Sequence, residues 1–136
     1  MKKGLIVFMV LCLFPTSVYG MTVSSRSACL MDTASGRVLF AKDKDTPRLI
    51  ASITKIMTAI LAIESGRLDE VVTVGEEVLT MYGSNIYIEL GEKMTLLDLV
   101  YGLMLRSGND AAIVISVFVG GTEEKFVEMM NQKAAS

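Results

Sequence analysis

The stretch from Ala51 to Gly66 (Ala-Ser-Ile-Thr-Lys-Ile-Met-Thr-Ala-Ile-Leu-Ala-Ile-Glu-Ser-Gly) constrains this chain more than any other. Apolar residues at 53, 56, 57, 60, 61 and 63 recur with the 3.6-residue period of a helix. Ala59 and Ala62 widen the apolar face, leaving Thr54, Lys55 and Thr58 as its polar interruptions. A helix apolar on nearly every side is expected to be buried, so a domain must be built around it. Gly66 is placed to end it in a left-handed conformation.

Two polar groups open this helix. Ser52 stands at its N-terminus and Lys55 follows on the same face one turn later. A lysine at the positive end of a helix dipole is poorly placed for stability. It is better placed for chemistry, since a neutral amine beside a hydroxyl can take up the hydroxyl proton. On these four residues alone a plainer reading stands, with Ser52 as an N-cap and Lys55 snorkelling to solvent. Ser-x-x-Lys arises by chance in about every second chain of this size. The pair needs a second witness.

The 136 residues suit one small domain, and their beginning reads as a targeting signal. Met1-Lys2-Lys3 is basic, Leu5 to Phe14 apolar, and Pro15 to Gly20 polar, with Val18-Tyr19-Gly20 where a signal peptidase reads. Residues 1–20 are expected to be a secretory signal and 21–136 the folded part, placing the protein outside the cytoplasm in the cell envelope or periplasm. An uncleaved anchor is the alternative. Cleavage leaves Cys29 without a disulfide partner, expected as a small buried hydrophobe on a strand. The lack of histidine excludes Ser-His-Asp and histidine–metal chemistry. A net charge of −2 with acids and bases interspersed gives no footprint for nucleic acid. The ten methionines are expected to fill the core.

Ala28 to Met31 and Arg37 to Phe40 read as strands joined by the turn formers Asp32 to Gly36. Residues 41–50 form a charged loop in which Arg48 is either a surface charge or part of the frame of a site. Val71 to Val74 is a short strand, residues 76–84 a loop, and the alternating Ile86 to Leu90 another strand. Thr95 and Asp98 form a capping box for a helix ending near Arg106. Helices over 110–119 and 123–135 come next, separated by Gly120-Gly121 and capped at Thr122.

Ser107-Gly108-Asn109 sits between two of these helices. Alone it is a turn, with glycine easing the backbone and Asn109 or Asp110 capping the next helix. Yet Ser-x-x-Lys and Ser-x-Asn each occur once in the chain, in that order. They are the first two of the three motifs of penicillin-binding proteins and class A β-lactamases, the third being Lys-Thr-Gly. Ala51 to Thr58, Arg106 to Ala112, and Gly91 to Thr95 together resemble the low-molecular-mass penicillin-binding proteins, the serine-type D-alanyl-D-alanine carboxypeptidases.

That resemblance implies an α+β, β-lactamase/transpeptidase-like fold, an antiparallel sheet with a helical subdomain, of which this chain holds the N-terminal part. It implies Ser52 as acylated nucleophile and Lys55 as its base. Ser107 would relay a proton to the leaving amine, and Asn109 would contact substrate or Lys55. The backbone N–H of Ser52 would supply half an oxyanion hole. The implied substrate is a peptidoglycan stem peptide ending in D-Ala-D-Ala, with β-lactams as inhibitors. No metal or organic cofactor is implied, and a peripheral membrane association is left open. No Lys-Thr-Gly follows Asn109, so the sequence is expected to stop short of the third motif and the 136 residues to be inactive alone. Glycine at 108 favours the carboxypeptidase over a serine β-lactamase; a non-catalytic exported peptidoglycan-binding module is the rival from another class.

Overall fold

The computed structural model describes residues 20–136, so the signal read at residues 1–20 lies, apart from Gly20, outside the described residues. Among the described residues the chain divides into two compact units, the first ending at Arg48 and the second spanning Leu49–Ser136. The first holds an antiparallel hairpin of β1 (Ala28–Met31) and β2 (Val38–Lys42), with Ala28 opposite Lys42 and a bulge between Leu30 and Met31. Its turn is fixed by Asp32, whose carboxylate accepts the Ala34 N–H and the Ser35 hydroxyl. Gly36 supplies the left-handed residue at φ 69°. Arg48 is exposed and donates to Ser27 Oγ. Cys29 lies on β1 as expected but is exposed, because a two-stranded ribbon has no layer of its own to cover it.

The second unit is a helical layer with a small sheet. A 3-10 turn (Ala51–Ile53) leads into α1 (Thr54–Glu64), and β3 (Val71–Thr73) pairs antiparallel with β4 (Lys93–Thr95). Helices α2 (Leu96–Arg106), α3 (Asn109–Gly120) and α4 (Glu123–Ala135) complete it. The core is built from Leu96, Leu99 and Leu103 of α2, Ala111, Val114 and Ile115 of α3, Phe126 of α4, and Ala59 and Ala62 of α1. Among the described residues no helix is long and apolar enough to cross a membrane.

Several helix boundaries have a chemical cause. Thr95 Oγ1 accepts the Asp98 N–H while the Asp98 carboxylate accepts the Thr95 N–H, the reciprocal capping box expected from the sequence. The N–H groups of Leu96 and Leu97 donate to Glu70 O and Leu68 O, so the free donors of this first turn are satisfied. Gly66 turns the chain at φ 70° after α1, and Gly121 closes α3. Thr122 Oγ1 accepts the Lys125 N–H at the start of α4.

Three expectations are corrected. Helix α1 is buried on one side only. Thr58, Ala59, Leu61 and Ala62 face the other helices, while Ile53, Ile56 and Ile63 stay exposed, because α2, α3 and α4 pack against a single face. Ile86 to Leu90 is not a strand. Tyr87 is left-handed at φ 63°, and the N–H groups of residues 86–88 donate to the Asp110 carboxylate instead of to a neighbouring strand. The partner of β3 is β4, whose three residues are too short a run to stand out in the sequence. Nor do all methionines fill the core. Met21, Met31 and Met104 are exposed, and Met81, Met94, Met129 and Met130 pack at its edge.

Candidate active site

Ser52 lies in the middle of the 3-10 turn and is not an N-cap, for neither that turn nor α1 has a side-chain cap. The residue before it, Ala51, is held at φ 49°, in the left-handed region. That conformation costs a non-glycine residue about 1–2 kcal/mol. Lys55 does not snorkel to solvent. It is half-buried, and its Nζ donates to Ser107 Oγ at 3.1 Å and to Asn109 Oδ1 at 2.6 Å.

Ser107 ends α2 in a left-handed conformation, φ 56°, ψ 36°, with its N–H on Gly102 O. This aims its hydroxyl back over α1, where Oγ lies 2.9 Å from Ser52 Oγ. Gly108 then extends the chain and α3 begins at Asn109. The residue at 108 has no room for a side chain, since a Cβ would come within 2.8 Å of Asp110 Oδ1. Asn109 is pinned on three sides. Its N–H donates to Ser84 O and its Nδ2 to Tyr82 O, both at 2.7 Å, which leaves Oδ1 for Lys55.

The structure thus brings together all four residues singled out by sequence, across separations of 52–55 positions. It differs in their wiring. The lysine reaches Ser107 and Asn109, and it is Ser107 that is hydrogen-bonded to Ser52. Hydroxyl protons rotate freely, so Ser52 can donate to Ser107 and Ser107 to an unprotonated Lys55, giving an unbroken path from nucleophile to base. A cavity of about 310 Å³ opens nearby. Thr54, Asn109 and Ser116 line it with Ile113, Phe126 and Met130, whereas Ser52, Lys55 and Ser107 do not; it is a packing groove flanking the site. Among the described residues no group of three or more His, Cys, Asp or Glu converges to hold a metal. Sequence reasoning missed the strained seat at Ala51, the carbonyls of Tyr82 and Ser84, and Asp110 as more than a cap. A lone carboxylate opening the apolar run 110–119 was the available sign of the last.

Comparison with known proteins gives the family of the chain. The family whose profile matches residues 15–136 is D-alanyl-D-alanine carboxypeptidase. The chain is 38% identical over 115 residues to D-alanyl-D-alanine carboxypeptidase DacF of Bacillus subtilis, covering 81% of this chain and 30% of that protein. The D-alanyl-D-alanine carboxypeptidase of Mycobacterium tuberculosis has a similar solved structure, with a TM-score of 0.81 at 28% identity over 89% of this chain and 46% of that one. Penicillin binding protein 6B of Escherichia coli gives 0.78 at 32% identity over 89% and 42%. The chain therefore spans about a third to a half of these relatives' lengths. With the family's profile matched along nearly its whole length, the chain belongs to the D-alanyl-D-alanine carboxypeptidase family.

Proposed function

We propose that the protein to which this chain belongs is a serine-type D-alanyl-D-alanine carboxypeptidase acting on peptidoglycan stem peptides, with Ser52 as nucleophile. The observation that carries the reading is the hydrogen-bonded path Lys55–Ser107–Ser52. Ser52 Oγ attacks the carbonyl carbon of the penultimate D-Ala, and its proton passes through Ser107 to Lys55. The tetrahedral intermediate collapses with cleavage of the C–N bond. Its proton returns along the same path to the amine of the departing D-Ala, so Ser107 serves both halves of the step. Water then hydrolyses the ester and frees Ser52. Asn109 holds Lys55 in line through its Oδ1. The Ser52 N–H, at the open start of α1, is the donor this chain offers to the oxyanion.

Penicillins fit the same reading as acylating inhibitors, and a penicillin-binding relative supports it. The basic, apolar and polar order of residues 1–20 supports export to the compartment that holds peptidoglycan. A mature protein beginning at Met21 is expected on N-terminal sequencing, and retention of Lys2 and Lys3 would count against cleavage and for an uncleaved anchor. The activity itself is tested on the complete protein expressed from its reading frame. It should release D-alanine from a diacyl tripeptide ending in D-Ala-D-Ala, and Ser52→Ala should not. Equal release by the variant would remove Ser52 from the chemistry.

A further inference from the structure

Asp110 has a role that acyl transfer alone leaves unexplained. It is a buried carboxylate, 3% exposed, at the start of an otherwise apolar helix. Its Oδ2 accepts the N–H groups of Ile86 at 3.0 Å, Tyr87 at 2.7 Å and Ile88 at 3.2 Å. Its Oδ1 accepts Ile86 at 3.1 Å and Ala111 at 2.8 Å. A buried carboxylate is tolerated only when its lone pairs are satisfied, and here backbone donors do so entirely. Three consecutive N–H groups converge on one oxygen only if the backbone bends sharply, which Tyr87 achieves at φ 63°.

The clamped segment continues directly into the site. Just upstream, Asn85 Oδ1 accepts the Asp110 N–H at 3.3 Å, and the carbonyls of Ser84 and Tyr82 take the N–H and Nδ2 of Asn109 at 2.7 Å. With Nδ2 committed to Tyr82, the oxygen of the Asn109 amide is turned toward Lys55. The lack of room for a Cβ at Gly108, 2.8 Å from Asp110 Oδ1 and 3.3 Å from Ile86, keeps this arrangement closed.

We propose that Asp110 is a positioning residue for acylation: by clamping the 86–88 backbone it fixes the carbonyls that orient Asn109 onto Lys55. This rests on the reading of Ser52 as the acylated nucleophile.

The test is the rate of labelling by a fluorescent penicillin in the complete protein. Asp110→Asn keeps the side-chain shape but sets an amide donor against backbone donors. Its acylation should slow by about 10- to 100-fold, since misplacing reacting groups by about 1 Å can cost that much. In an Asn109→Ala background the same change should cost less than about threefold, because the path it acts through is already gone. A residue that merely stabilises the fold would slow both backgrounds alike. Hydrogen exchange at residues 86–88 should quicken while the four helices stay protected. An Asp110→Asn protein that acylates within about threefold of wild type overturns the proposal, as does an equal loss in both backgrounds. If that variant does not fold, Asp110→Ser, too short to reach residues 86–88, carries the measurement; unfolding of both would make Asp110 structural only and overturn the proposal. Failure of the wild-type protein to take up label at Ser52 is seen before any variant is made, and it strikes the functional reading itself.

Discussion

The hydroxyl of Ser107 sits between the lysine and the nucleophile, 3.1 Å from one and 2.9 Å from the other. In the proposed reaction a proton leaving Ser52 for Lys55 crosses Ser107, and this path works only if Lys55 can give up a proton of its own. Arginine cannot, because a guanidinium stays protonated. Lys55→Arg should lower the acylation rate on the order of 10²-fold or more, the usual worth of general-base catalysis. Stopped-flow penicillin binding measures it, and a loss of only a few-fold would make Lys55 a positional residue. The identities of Ser52, Lys55, Ser107 and Asn109 were legible because two short motifs each occur once and in order. Their wiring was not. Distances between side chains 52–55 positions apart depend on how α1 packs beside the α2–α3 turn, and on left-handed backbone at Ala51 and Ser107 that neither residue type advertises.

At the scale of the element, α2 shows a boundary written in the sequence. Thr95 and Asp98 cap each other across its first turn, and the Asp98 carboxyl is held below its ordinary range first by the Thr95 hydroxyl and then by the Thr95 N–H. A carboxylate with its folded value lowered adds stability above its unfolded value of about 3.9, and that contribution is lost as pH falls through the folded value. Thr95→Ala should destabilise the protein by about 1 kcal/mol near neutral pH. The gap to wild type should be narrower in unfolding curves taken at a pH below the lowered folded value of Asp98, where the carboxyl is protonated in both. An unchanged gap at the two pH values would show that the carboxylate takes no part in the cap. The helices were readable because their apolar period and caps are local properties. The segment 86–90 misled for the opposite reason. Its alternation is that of a strand, but its backbone donors are taken by Asp110, 22–24 positions away, and no local rule anticipates that.

Across the molecule, the helical layer has one consequence above others: it carries the turn after α2 onto the start of α1 and so joins two motifs that the chain keeps far apart. Leu96, Leu99 and Leu103 of α2 and Val114 and Ile115 of α3 are buried in the same cluster as Ala59 and Ala62, so the packing of small residues on α1 brings the two seats close. The fold recurs in the Mycobacterium tuberculosis carboxypeptidase at a TM-score of 0.81 and in penicillin binding protein 6B at 0.78, in keeping with the fold expected from two motifs and their flanks. The chain covers 30% of the Bacillus relative's length, so the protein to test is the one expressed from the full reading frame. The most direct measurement is therefore peptide mapping by mass spectrometry of that protein after exposure to benzylpenicillin. A single penicilloyl adduct on the peptide containing Ser52, absent from Ser52→Ala, is the result the site predicts. An adduct on another serine, or one that persists in Ser52→Ala, would contradict it.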